Sequence, residues 1–219
     1  MKIEISSEIN ETCPNLKLAV IRCEVRNSAT SDEFWQEMEV EIQRIKAIFS
    51  IEEINKRPEI AATRQTYKAL GKDPNRYRPS AEALCRRIVR EIEIYKVSTL
   101  VDIINLVSIR SGFSIGGFDA NKIQGDVVLG VGTNEDEFEA IGRGLLNVEG
   151  LPIYRDQIAG IGTPTSDNER TKITDSTTNL LMIINGYSGN EGLQEAVEHS
   201  RELLEKYAGL VSFDVEYFG

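Results

Sequence analysis

Two hydrophobic periods divide this chain. Ile3, Ile5 and Ile9 alternate with polar residues over 2–9, and Leu16 to Val25 (LKLAVIRCEV) alternates with branched residues, so both stretches predict strands. From Thr30 the period lengthens. Phe34, Met38, Ile42, Ile45 and Phe49 recur every three or four residues, and Thr30 and Glu33 have capping-box spacing, so a long helix with one buried face is expected. Ile60 to Leu70 predicts a shorter helix ended by Gly71. After the aperiodic KDPNRYRPS of 72–80, Ser80 is expected to cap a helix with Leu84, Ile88 and Ile92 inward. Thr99 and Asp102 predict a further cap, opening an almost wholly apolar helix over 100–110.

Beyond Gly112 the pattern turns to short apolar runs between glycines. Val127–Val131, Phe138–Ile141, Leu151–Tyr154 and Leu180–Asn185 predict strands joined by tight corners. Asn190 to Ala208 predicts an amphipathic helix with Leu193, Val197, Leu203 or Leu204, and Tyr207 inward, and VSFDVEYF a closing strand. Helices and strands mix without regular β-α-β alternation, so the expected class is α+β. With 219 residues, 41% of them hydrophobic, one domain with a real core is expected. Its motif-bearing part would span 57–187, with a strand–helix region 1–56 and a helix–strand region 190–219 packed on it.

Two features depart from simple amphipathic patterning. On the apolar helix of 100–110, Asp102, Asn105 and Ser108 form a polar stripe, which faces a polar pocket or satisfies neighbouring backbone. The other is GIGTPTSDNERT, residues 160–171. Here a glycine- and proline-set turn presents Thr163, Thr165, Ser166, Asp167, Glu169 and Arg170 between expected strands. As local composition it is an ordinary solvated loop. As chemistry it could hold a polar substrate and orient a water.

Charge changes the picture next. The net charge is −10, yet residues 56–96 carry eleven basic and five acidic side chains, about +6, leaving about −16 elsewhere. Arg76 and Arg78 lie in the loop before the Ser80 helix, and Arg86, Arg87 and Arg90 on that helix. Such a patch would focus a polyanion such as RNA; alternatively the arginines pair internally with the acidic excess. The acidic total argues against a general DNA-coating protein. No apolar run approaches a membrane span, and MKIEISSEI does not read as a signal peptide, so a cytoplasmic protein is expected. The cysteines Cys13, Cys23 and Cys85 are far apart and His199 is the single histidine, so neither a metal site nor a cofactor is expected. The cysteines read as small core residues, His199 as a solvated residue, and Trp35 as core or interface packing.

Five blocks in one order carry a family resemblance: RQTYKALGKDPNRYRPSAEALCRRI, LVDIINLVSIRSGFSIGGFD, AIGRGLLNVEGLPIYRD, GIGTPTSDNERT and ITDSTTNLLMIINGY. Together, over roughly Arg64 to Tyr187, they resemble the B3/4 domain. That domain is the editing module of the phenylalanyl-tRNA synthetase β subunit and also occurs free-standing, the branch these blocks resemble more closely. The resemblance implies a β-sandwich-like core flanked by helices, and a pocket where the synthetase module hydrolyses a mischarged ester on tRNA. It matches Asn105 to the synthetase's asparagine. It places Gly116, Gly117 and Asp119 of GGFD in the substrate region, with Gly116 where the synthetase has a histidine and Ile183 where it has its editing glutamate. No motif of an aminoacylating core is present.

The expected activity is hydrolysis in trans of the aminoacyl ester of a mischarged tRNA. Asp167, Thr165, Ser166 and Asn105 are the expected catalytic residues. Gly116, Gly117, Asp119, Arg143, Glu149, Gly162, Thr163, Glu169 and Arg170 would bind substrate. Arg76, Arg78, Arg86, Arg87 and Arg90 would bind RNA. In chemical terms, Asp167, Glu169 or Glu149 would hold the ammonium or orient water, and hydroxyls with N–H groups near Gly160 and Gly162 would receive the oxyanion. The aminoacylated tRNA 3′ end is the expected partner, with no membrane and no DNA. The alternative is a non-catalytic RNA- or amino-acid-binding module of the same fold. A third reading makes Trp35 and the helix of 31–50 a protein interface.

Overall fold

The computed structural model describes all 219 residues. Two four-stranded sheets face each other. One has the order β1 (Ile3–Ile5), β4 (Val127–Val131), β7 (Pro152–Arg155), β8 (Gly160–Gly162); the other has β10 (Ser212–Phe218), β2 (Lys17–Glu24), β9 (Asn179–Gly186), β3 (Ser114–Asp119). Every pairing is antiparallel except β1 with β4. A small hairpin, β5 (Glu139–Ala140) and β6 (Gly144–Leu145), stands apart.

Alternation in β2 and β9 builds two cores at once, because successive side chains of a strand point to opposite faces. Leu18, Val20, Leu181 and Ile183 point between the sheets, meeting Ile3, Val127, Leu129, Tyr154 and Ile161. Ala19, Ile21, Met182 and Ile184 point the other way, into the helices α2 (Asp32–Ile48), α4 (Ser80–Val89), α5 (Thr99–Ser111) and α6 (Leu193–Tyr207). A third cluster joins Tyr67 of α3 (Pro58–Ala69) to Phe138, Val148, Leu151 and Ile153 behind the first sheet. The molecule is thus α+β, with an open two-sheet sandwich and one helical layer.

Several elements depart from expectation for local reasons. The first strand stops at Ile5, and Ser6 caps a short helix α1 (Ser7–Thr12) by accepting from the Ile9 N–H at 3.3 Å. Ser31, not Thr30, caps α2; the Thr30 hydroxyl instead donates to Asp102 at 2.5 Å. Pro79 and Ser98 occupy the cap positions of α4 and α5 without side-chain capping bonds, so neither Ser80 nor Thr99 serves there. Ile92 lies beyond the end of α4 and is exposed. Gly71 does end α3, in the left-handed region at φ 81°. The largest departure is β3. Residues 114–119 are not among the expected strands, but all six are buried strand.

The polar stripe divides. Asp102 accepts from Thr30 and from the Val97 N–H, and Ser108 donates to the Phe113 carbonyl at 2.7 Å. Asn105 is half-buried and makes no side-chain hydrogen bond. Burial raises the Asp102 pKa, against the two donors that lower it. All three cysteines are buried and unpaired. Trp35 packs edge-on against Phe34, with Lys96 over its ring at 4.8 Å. His199 is half-buried rather than solvated, 3.4 Å from Arg110, and burial holds its pKa low.

Candidate functional site

The loop after β8 folds on itself. The Thr163 hydroxyl accepts from the N–H groups of Thr165 and Ser166, both at 3.1 Å, and donates to the Ser166 carbonyl at 3.1 Å. These bonds reverse the chain within four residues, so that Asp167 bridges back to Gly162. The Thr165 hydroxyl is buried and shares a 2.9 Å hydrogen bond with the Tyr67 hydroxyl. Of the three hydroxyls expected to meet substrate, only that of Ser166 keeps capacity, with one long bond of 3.4 Å to the Asp167 carbonyl.

This reversal aims the Asp167 side chain between the sheets. Its Oδ2 accepts from the Gly117 N–H at 3.1 Å, and its Oδ1 has no donor. Gly117 belongs to the edge strand β3, whose outer N–H groups are free of the ladder. Two glycines make the room. A Cβ on Gly116 would lie 2.7 Å from the Phe118 ring and 3.6 Å from Asp167 Oδ1; one on Gly162 would lie 2.6 Å from that ring and 2.7 Å from Oδ1. Desolvation, offset only by the Gly117 donor, pushes the Asp167 carboxyl up to about 7. Tyr154 stands close enough to feel that charge, and its hydroxyl donates to Asn185 Oδ1 at 2.6 Å, tying the two sheets together. Asn185 in turn donates to the Ser114 carbonyl at 2.8 Å.

The structure therefore gathers Asp167, Gly116, Gly117 and Gly162, with Thr163, Thr165 and Ser166 forming the adjoining turn. Other residues go elsewhere. Arg170 forms a two-pronged pair with Asp156 (3.0 and 2.8 Å) and reaches the Lys122 carbonyl. The Asp156 side chain is buried; burial works against its ionisation, but three backbone N–H groups and Arg170 keep its pKa below the usual carboxylate value. Arg170→Met should therefore lower stability by about 2–4 kcal/mol, because it leaves a buried carboxylate unpaired; urea unfolding midpoints measure this. Asp119 caps the next turn through Asn121 and accepts from Thr177 at 2.9 Å. Glu169 is held by Lys172 and the Gly142 N–H. Arg143 and Glu149 are exposed. Asn105 sits on α5, which packs through Ile104 on the Gly117 face of β3, opposite the Gly116 face beside Asp167.

The five arginines expected to bind RNA also separate. Arg78 and Arg86 lean on Glu82, a buried carboxylate. Arg87 stacks on Tyr95 at 4.1 Å and donates to the Glu93 carbonyl, beside a groove of about 1130 Å³ between α2 and residues 87–96. Arg76 and Arg90 are exposed and make no ion pair. Sequence reasoning missed Tyr67, Phe118, Tyr154, Asn185 and Glu82. Asn185 had a signal, a polar side chain inside an otherwise apolar strand; Glu82 had none, since one acid on a basic helix reads as a solvated residue.

An α+β sandwich with an inward carboxylate at the edge of one sheet is the class that fold and site define. A family model for the B3/4 domain matches residues 62–209, and the chain belongs to that family. Among solved structures it resembles an N-terminal fragment of the phenylalanyl-tRNA synthetase β subunit from Pyrococcus horikoshii, with a TM-score of 0.46 and 11% identity. The match covers 95% of this chain and 49% of that one, so the chain spans about half the length of that fragment. No curated protein matches. No helix is long and apolar enough to cross a membrane.

Gly116 on β3 and Ile183 on β9 are direct cross-strand partners, both buried. The substitution Gly116→His should fail sterically, because the Phe118 ring already occupies the space its Cβ needs. That variant is expected to lose about 1–3 kcal/mol, and pairing it with Phe118→Ala should recover part of the loss, read by thermal unfolding.

Proposed function

We propose that this chain is a free-standing aminoacyl-ester hydrolase acting on the 3′ end of a mischarged tRNA, with Asp167 as its general base. The observation that carries this reading is a carboxylate between the sheets with a single donor, pushed up to about 7 by desolvation, beside Gly116 and Gly162. A base is most effective when it ionises near the working pH. Asp167 takes a proton from water, the water oxygen adds to the ester carbonyl, and the carboxylic acid returns the proton to the departing ribose oxygen. The Ser166 hydroxyl, held only by its long 3.4 Å bond to the Asp167 carbonyl, is the donor for the developing oxyanion. With Gly116 and Ile183 aligned to the family's histidine and glutamate, Asp167 is the carboxylate left on this face.

The second reading, a non-catalytic RNA- or amino-acid-binding module, is favoured by those same two substitutions. A panel of aminoacyl-tRNAs incubated with stoichiometric protein separates them. Accelerated loss of at least one ester, abolished in Asp167→Ala while folding is kept, supports the hydrolase. Unchanged ester lifetimes across the panel would leave the binding module.

A further inference from the structure

Glu82 is 1% exposed, and three guanidiniums converge on it. They are not equally served. Arg64 makes a 2.7 Å hydrogen bond to Oε2 and also bonds the Pro74 carbonyl and Asn75 Oδ1. Arg78 brings Nε to 3.4 Å from Oε1 but outside hydrogen-bond geometry, and Arg86 stays at 3.8 Å. The Nε groups of Arg78 and Arg86 are both buried without a hydrogen-bond partner. Arg90 lies close enough to Arg86 to repel it, and has no acid of its own. One carboxylate thus faces three guanidiniums, two of them with unpaired donors, and a fourth, Arg90, stands near Arg86. Buried donors without partners are costly, and an excess of guanidinium forks is what a phosphate group satisfies.

The same two helices that build this cluster also grip the loop carrying Asp167. Arg64 and Tyr67 share α3, and Tyr67 bonds Thr165. Ser80 and Glu82 share α4, and the Ser80 N–H donates to the Pro164 carbonyl at 2.8 Å. A group bound at the arginines is therefore held at a fixed offset from Asp167.

We propose that Arg78, Arg86 and Arg90, organised on the buried Glu82–Arg64 pair, form a seat for a single phosphate group. That phosphate is the last phosphodiester of the strand whose terminal ester meets Asp167. This assignment of the phosphate rests on the hydrolase reading; the seat itself does not.

The test titrates the full chain at constant ionic strength with inorganic phosphate, with AMP and with a short RNA ending in CCA, following the unfolding temperature and phosphorus NMR. Phosphate should stabilise the protein beyond matched chloride, and the RNA should bind more tightly than AMP. Arg78→Gln and Arg90→Gln should each weaken inorganic phosphate about tenfold. Arg76→Gln, outside the cluster, should weaken it less than twofold. Arg86→Gln is informative if it folds; the more exposed Arg78 and Arg90 carry the test if it does not. In the hydrolysis assay Arg78→Gln should raise KM and leave kcat. No stabilisation beyond chloride, or equal losses for Arg76→Gln and Arg78→Gln, would overturn the seat. AMP binding as tightly as the RNA would overturn its assignment to a strand terminus. Arginine-dependent phosphate binding without hydrolysis of any ester would support the seat and overturn the role of Asp167.

Discussion

Asp167→Asn should abolish ester hydrolysis, by about 10²–10⁴-fold, and at the same time make the protein more stable above neutral pH. The first effect follows from removing the group that accepts the water's proton. The second follows from its pKa. The folded-state value, about 7, lies above the 3.8 of a free aspartate, so between those pH values the folded protein holds a proton that the unfolded chain has released. Stability therefore falls as pH rises from about 4 to about 7, and the full penalty for burying the charge is present above that. Asparagine carries no such penalty. Its advantage should be small at pH 4, grow through the window and level off near pH 8 at about 1–3 kcal/mol. The Gly117 N–H keeps an acceptor, since the asparagine amide oxygen can take the place of Oδ2. Urea unfolding of both proteins from pH 4 to 8 measures the stability half. The wild-type rate, rising with pH through about 7, measures the catalytic half. Parallel stability curves for the two proteins would show that Asp167 titrates as an ordinary carboxylate.

Glu82→Ala should be the most destabilising change on this face of the molecule, costing about 3–5 kcal/mol. Glu82 is the one acid among Arg64, Arg78 and Arg86, and it is almost fully buried. Removing it leaves converging like charges in a region poor in water and frees α3 from α4 at their contact. Glu82→Gln keeps the shape and one acceptor, so it should cost less than the alanine while losing the charge compensation. Added phosphate should recover part of the loss in both variants, because an anion in the seat supplies the missing charge. Thermal unfolding with and without phosphate at fixed ionic strength reads both predictions. A cost below 1 kcal/mol for Glu82→Ala would mean that the arginines find solvent as easily as they find the carboxylate.

The two residues differ in how much of their role could be read beforehand. Asp167 stood out as one acid in a polar turn, and five motif blocks in order led to the B3/4 family before any coordinates. Nothing in the order of residues shows that Thr163 spends its hydroxyl on its own turn, or that Thr165 is taken by Tyr67, 98 positions away. Arg170 and Asp119 had the same composition as a binding residue and proved to be held by Asp156 and Thr177. Residues 114–119 were not among the expected strands, whereas the chain runs straight there as β3. Gly116 is small because the Phe118 ring and the Asp167 carboxylate need its space, and Gly117 because Ile104 of α5 needs its own, which are tertiary reasons.

What the sequence determined by itself was the set of elements and the family. Both are written locally, in periods of two and of three to four residues and in short ordered motifs. That β2 and β9 each serve two cores is a result of the packing on both faces. The tertiary structure decided which polar groups remain available. That depends on partners distant in sequence: α3 and α4 clamping the loop after β8, β3 lying at a sheet edge so that the Gly117 N–H is free, and Glu82 buried beneath its arginines. Desolvation and hydrogen-bond competition set a carboxylate's pKa and a hydroxyl's freedom, and both are properties of the packed surroundings rather than of the residue.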